Sequence, residues 1–357
     1  MLKGNKGEWS EIYALLKILS DKKLYAGDET LNRIEKLILP IVKVLRYESN
    51  GKFEFFYRND VIIVKNNKNK FSIPIIEFHK QAKLLLTKLQ EKTVTTFTVP
   101  EIEKFINSFN SSAIKAKSTD KSDIKIIIHD QRTGGEPELG FSIKSQMGSP
   151  STLLNPGKTT NFIFKINYLN PTAIEKINTI DTAHKVQDRL HEIKKQNGKI
   201  QFERIEYTTF ENNLILIDSA LPKIIAEYIL LAYSSKLSKI SDLTTKINLE
   251  NPLNFNTSND HPFYSYKIKK LLTDIALGMT PSKIWNGILD ATGGYLIVKE
   301  SGDIVCYHIY NRNEFENYLF ANTRLITPST TRYDFGYIYK ENNSLYVKLN
   351  LQIRFIK

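Results

Sequence analysis

Asp123 opens the strand-like stretch "DIKIIIH", and Lys144 sits inside a second one, "LGFSIKSQ" (139–146). Successive side chains on a strand point to opposite faces. Leu139, Phe141, Ile143 and Ser145 therefore share one face, and Gly140, Ser142, Lys144 and Gln146 share the other. If the two stretches pair as a hairpin around "DQRTGGEPE", Asp123 and Lys144 converge at one end of the sheet. That pairing of residue types suits metal-assisted cleavage of a phosphodiester. The aspartate holds a divalent cation, which lowers the pKa of a bound water and neutralises charge on the phosphate. The lysine positions or helps deprotonate that water and stabilises the developing charge. Hard oxygen ligands with open water positions point to Mg²⁺.

One aspartate is a thin metal site, so a second carboxylate is expected. A nuclease strand of this kind usually carries an acid two residues before the lysine, and that place is Ser142. Glu8, on the first helix, could supply that charge instead. Trp9, Ile12, Tyr13, Leu16 and Leu19 mark an amphipathic helix over Glu8–Leu19, and Glu8 falls within its apolar stripe. A carboxylate on a buried face needs a partner or a metal. Equally, an acid in the first turn suits the helix dipole and can simply face water. Glu11, at the edge of the stripe, is the runner-up. Asp130, Glu136 and Glu138 compete but fall in or beside the hairpin turn. The spacing alone fits a surface hairpin with a solvated lysine more readily than a catalytic pair.

The elements that must hold these residues are legible in outline. Helices are expected over 79–92, over 99–109 with Pro100 near the start, along 171–198 up to Gly198, and over "ALPKIIAEYILLAYSS" and "FYSYKIKKLLTDIALG". Strands are expected in "KFEFFYRNDVIIVKNN", "TNFIFKIN" and a series of aromatic-rich segments near the C-terminus, with a polar connector at 110–122. The class is mixed α/β. The softest boundary lies at about 241–262, dividing the chain into 1–245 and 246–357. The 357 residues are 41% hydrophobic and 25% charged, ample for a folded core. No apolar run approaches the ~18 residues that cross a bilayer. Cys306 is the sole cysteine, which excludes an internal disulfide and a cysteine-based zinc site and points to an intracellular protein. The net charge of +12, from 50 Lys and Arg against 38 Asp and Glu, favours a polyanionic partner.

Three stretches, "KGNKGEWSEIY", "GFSIKSQMGSPSTLLN" and "RYDFGYIYKE" with "YVKLNLQIRF", resemble in order the HpaII family of type II restriction endonucleases, from the first turn to the end of the chain. The resemblance implies a PD-(D/E)XK-like nuclease core, a mixed sheet flanked by helices, with a sheet-rich C-terminal region for DNA recognition. It implies Mg²⁺-dependent cleavage of double-stranded DNA at a short GC-rich palindrome such as CCGG, in the bacterial cytoplasm, beside a partner methyltransferase. A palindromic target favours a two-fold homodimer. Carried over residue by residue, Asp123 is a metal ligand and Lys144 the catalytic lysine. Ser142 departs from the motif, which leaves Glu8 as the second ligand. Ser142 and Gln146 share the face of Lys144 and turn with it toward metal and DNA phosphate, Gln146 as a water or phosphate ligand. Ser149 and Ser151 lie in a loop of small donors suited to the phosphate backbone. Base reading needs Arg, Lys, Asn or Gln at base edges. Lys283, Asn286, Arg324, Arg332 and Lys340 are the candidates, and Asp334 could accept from cytosine.

Rival readings are weaker. "NPGKTT" (155–160) looks like a P-loop tail, but the required glycine five positions before Gly157 is Thr152. His184, Asp188 and His191 fit a polar helix face better than a metal site. A non-catalytic DNA-binding protein would explain the charge and the aromatics but not Glu8, Asp123 and Lys144 as a set. An RNA-processing nuclease would share the chemistry.

Overall fold

The computed structural model of the chain describes residues 1–67, 69–115, 122–131 and 133–356. Part of the polar connector expected at 110–122, namely 116–121, lies outside the described residues. Contacts divide the chain into two compact units, 1–151 with 289–318 and 152–288 with 319–356. The chain thus leaves the first unit, builds most of the second, returns to the first and ends in the second. This differs from a single division near 245.

The first unit begins with β1 (Lys3–Gly4), α1 (Lys6–Asp21), β2 (Lys23–Gly27), β3 (Arg33–Glu48), β4 (Gly51–Arg58), β5 (Val61–Lys65) and β6 (Lys70–Pro74). It continues through α2 (Ile75–Glu91), β7 (Phe97–Thr98), α3 (Pro100–Asn107), β8 (Ile124–Ile128) and β9 (Glu138–Ser145). The second unit holds β10 (Thr152–Leu154), β11 (Asn161–Asn167), α4 (Ile174–Asn178), α5 (Lys185–Lys195), β12 (Lys199–Ile205), α6 (Thr208–Ile217), α7 (Leu221–Ser234), α8 (Ile240–Glu250) and α9 (Phe263–Leu277). The chain then returns with β13 (Gly294–Val298), β14 (Ile304–His308) and α10 (Arg312–Ala321), and closes with β15 (Thr323–Leu325), α11 (Thr330–Tyr333), β16 (Ile338–Glu341), β17 (Ser344–Asn350) and β18 (Ile353–Phe355).

The mixed α/β class follows directly. In the first unit nine strands run in the order β2-β14-β13-β9-β8-β3-β4-β5-β6. β13 is parallel to β9 and β14 to β2, and the other neighbours are antiparallel. β2 also pairs with the first half of β3, up to Pro40, while the second half of β3 pairs with β8 and β4. Pro40 has no N–H to lose, and it stands where β3 changes partner.

α1 covers this sheet as its periodicity predicts. Trp9, Ile12, Tyr13, Leu16 and Leu19 are at most 1% exposed, in one core with Val44, Phe55, Ile126, Phe141 and Leu296. Burying each such large side chain is worth ~1.5–3 kcal/mol. The helix starts at Asn5, whose Oδ1 accepts from Glu8 N–H at 3.0 Å while Glu8 Oε2 accepts from Asn5 N–H at 2.8 Å. This reciprocal capping box satisfies two donors that a helix start leaves open. At the other end Lys22 takes a left-handed φ of 60°, and β2 follows.

Gly294 shows how closely the returning strands approach. It pairs with Phe141 on β9 and with His308 on β14, at a φ of +101°. A Cβ there would lie 2.0 Å from the Tyr307 carbonyl oxygen, so only glycine fits.

The second unit has two sheets, β12-β11-β17-β16 and β10-β18-β15, with a core that includes Phe162, Phe164, Phe210, Tyr228 and Leu349. The P-loop-like "NPGKTT" has a structural use here. Lys158–Thr160 form one short turn, and Asn350 Nδ2 donates to Gly157 O and to Asn161 Oδ1, both at 2.7 Å. Two helical expectations change. The span 171–198 is two helices, α4 and α5, and His184 stands before α5 rather than on it. The expected boundary at 241–262 begins with a helix, α8, because Leu243 and Ile247 are buried despite polar neighbours.

Candidate active site

β8 and β9 pair antiparallel, with Ile124 opposite Phe141 and Lys125 opposite Gly140. Asp123, one residue before β8, donates its N–H to Phe141 O at 2.8 Å and so comes level with Ser142. Its Oδ2 accepts from Ile143 N–H at 2.6 Å and from Ser142 Oγ at 3.2 Å. The position where an acid was expected thus carries a hydroxyl that donates to the neighbouring acid. Ser142 is only 7% exposed, and a second carboxylate there would face Asp123 in a poorly solvated place.

Two residues on, Lys144 emerges from the same strand. Its Nζ lies 5.3 Å from the centroid of the Tyr295 ring, contributed by the parallel neighbour β13. Burial pushes the Lys144 ammonium pKa down, against the upward pull of Asp123 and Glu11. Burial also pushes the Tyr295 hydroxyl up, and Asp123 adds to it, so the phenol stays protonated.

α1 stands beside the exit of β9. Ser10 Oγ and Ser145 Oγ are 2.8 Å apart. Ser10 donates to Lys6 O at 2.7 Å, so Ser145 supplies the proton of the Ser10–Ser145 bond. Glu8 and Glu11 flank Ser10, and their surroundings differ. Glu8 Oε2 is held in the capping box, and Oε1 pairs with Lys115 Nζ at 2.6 Å. Burial raises the Glu8 pKa, but Lys115 and the Asn5 N–H outweigh it and leave it below its ordinary value. Glu11 acts over a wider field. Lys144, Lys115 and Arg46 each feel both Glu11 and Asp123, whereas Glu8 acts on Lys115 among these three.

Arg46 and Glu48 were not singled out from the sequence. Both are buried on β3, and their Nη1–Oε1 distance is 3.0 Å. Arg46 Nη2 donates to Ile114 O at 2.6 Å, and Glu48 accepts from Ser111 Oγ at 2.6 Å and from Ser112 N–H at 3.2 Å. The pair anchors the segment that leads to Lys115. An arginine and a glutamate two apart on one face of an apolar strand are the signal that could have revealed it.

The remaining expected residues fall in two groups. Gln146 continues β9, its N–H donating to Val298 O at 2.9 Å, with exposed Ser149 and half-buried Ser151 beyond. Lys283, Asn286, Arg324, Arg332 and Asp334 all belong to the second unit. Lys283 and Asn286 are exposed on a loop pinned by Asn213, which donates to Thr280 O and Lys283 O and accepts from Trp285 N–H. Arg332 is exposed, and Asp334 lies 3.6 Å from Lys348 and 3.8 Å from Lys158. Arg324 is half-buried opposite Arg354, with its Nε buried and unpartnered among the described residues. Among the described residues no group of three or more His, Cys, Asp or Glu is close enough to hold a metal. Among them, too, no helix is long and apolar enough to cross a membrane.

The class of protein follows from comparison along the whole chain. It belongs to the HpaII restriction endonuclease family, whose pattern matches residues 5–355. It is 49% identical to the Type II restriction enzyme HpaII of Haemophilus parainfluenzae over 356 residues, 99% of this chain and 98% of that protein. No solved structure matches it. The resemblance read from the three sequence stretches is borne out, and with it the assignment as a type II restriction endonuclease.

Proposed function

We propose that the first unit cuts both strands of DNA at a CCGG-like palindrome, using Mg²⁺ held by Asp123 and Glu11, with Lys144 as the catalytic lysine. The observation that carries this reading is the Asp123 lock: one carboxylate oxygen tied to β9, on the strand that presents Lys144. The donor set fits a hard cation. Two carboxylates from separate elements form a sparse site, and Mg²⁺ commonly binds through one or two carboxylates while keeping several waters. Glu11 is preferred to Glu8 because it shares its cationic neighbours Arg46, Lys115 and Lys144 with Asp123. When bound, the metal supplies an acidified water and neutralises charge on the phosphate.

The chain's own groups do the rest. Ile143 N–H and Ser142 orient the Asp123 carboxylate. Lys144, partly withdrawn from water, directs N–H donors at the attacking water and at the phosphate oxygen that gains charge; removal from water strengthens that field. Gln146, Ser149 and Ser151 contact the backbone near the cut. Lys283, Asn286, Arg324, Arg332 and Asp334 of the second unit supply base and phosphate contacts. The enzyme works in the cytoplasm as a homodimer on its two-fold target, and a partner methyltransferase protects host sites. Incubating a plasmid that carries CCGG sites with the protein and Mg²⁺ tests this. Discrete fragments, abolished by methylation of the sites, are expected. A smear or uncut plasmid overturns the proposal.

A further inference from the structure

We infer that the surface around Gln187 in the second unit is a cradle for the sugar–phosphate backbone of the DNA duplex, with Lys194 and Lys236 as its phosphate contacts. The inference rests on the endonuclease reading above and adds where in the chain part of the duplex affinity arises. Three hollows, of about 370, 180 and 260 Å³, adjoin here, and Gln187 lines all three. The largest lies between the start of α5, with His184 and Lys185, and the segment Thr327–Thr331. The smallest lies between the end of α7, with Ser235 and Lys236, and Leu325–Thr327. The third runs from Asp188, His191 and Lys194 on α5 to Ser234–Lys236. Gln187 Nε2 donates to Ser235 O at 3.3 Å and ties the two walls together.

The lining chemistry selects the occupant. It is rich in hydroxyls, lysines and histidines, and Asp188 is the one acid among the residues lining the three hollows. Asp188 already accepts from the Thr182 hydroxyl. Lys185 is paired with Asp181 at 2.8 Å, but Lys194 and Lys236 are exposed and form no ion pair among the described residues. Three adjoining hollows lined by hydroxyls, with two exposed lysines that form no ion pair among the described residues, suit a row of anions. A single small anion would need only one of the hollows. Phosphates spaced along a DNA strand use all of them, and hydroxyls with lysines are ordinary phosphate ligands.

The test is equilibrium binding of a fluorescent duplex carrying CCGG, by anisotropy, in EDTA so that no cutting occurs. Affinity is followed from ~50 to ~200 mM salt, since each phosphate contact adds about 0.9 to the slope of log K against log salt. In the Lys194→Ala/Lys236→Ala double variant the slope is expected to fall by about 2, and affinity to fall ~10-fold, equally on cognate and scrambled duplexes. Lys246→Ala, on α8 and paired with Glu250 at 3.0 Å, should leave both unchanged. A double variant with wild-type slope and affinity, while wild type cuts at CCGG, overturns the cradle alone. Wild type that neither binds nor cuts overturns the endonuclease reading and the cradle with it.

Discussion

Acid should loosen the first unit through His308. This imidazole is fully buried at the end of β14, with ring centroids 5.9 Å from Phe141 and 4.3 Å from Tyr310. Its Nδ1 accepts from Tyr310 N–H at 2.9 Å. The ring proton therefore sits on Nε2, which is buried with no hydrogen-bond partner among the described residues. A charged ring would point a second N–H at the Tyr310 donor. Burial lowers the pKa from 6.5 to about 4, with Asp130 pulling the other way. The unfolded chain thus takes up this proton at higher pH than the folded one. The stability contribution is complete above pH ~6.5 and is lost progressively as pH falls toward 4. A tenfold change in proton affinity is worth ~1.4 kcal/mol, so the full loss is roughly 3 kcal/mol. His308→Asn keeps an acceptor for Tyr310 and cannot titrate. In a Trp285→Phe background, Trp9 alone reports urea unfolding of the first unit. Carboxylates elsewhere titrate alike in both proteins, so the difference between them isolates residue 308. The variant's stability should fall less than the parent's between pH 6.5 and 4.5, whatever constant offset its smaller side chain brings. Parallel pH profiles would refute the reasoning.

Lys144→Met should lower single-turnover cleavage by ~10²-fold or more while the melting temperature holds or rises, because a desolvated cation is removed; cleavage at the parent rate would remove Lys144 from the chemistry. Glu11→Gln should weaken the Mg²⁺ titration of cleavage, whereas Glu8→Ala should cost ~1 kcal/mol of stability by loss of the capping box and leave the titration in place. The reverse pattern would return the metal role to Glu8. Arg46→Met should cost ~3–5 kcal/mol in urea unfolding, since Glu48 is left buried without its partner, and adding Glu48→Gln should recover much of it. Equal stability of the single and double variants would argue against that pairing.

Much of the candidate site is legible along the chain, and the parts that are not share a cause. The strand alternation around Lys144 and the stripe from Trp9 to Leu19 follow from backbone periods of 2 and 3.6 residues, which any short stretch displays. The hairpin that brings Asp123 level with β9 is nearly as local. The capping box is written in Asn5 and Glu8, yet the apolar stripe alone made Glu8 look like a stranded acid. Its pairing with Lys115, the Arg46–Glu48 anchor beneath the connector, and Ser142 serving Asp123 instead of a metal depend on which distant segments meet. The return of β13 and β14 to the first unit after most of the second is built has no local mark at all. Periodicity is a property of one segment's backbone, so the sequence carries it openly. Charge pairing and strand neighbours are properties of two segments at once, and only packing the whole chain brings those two together.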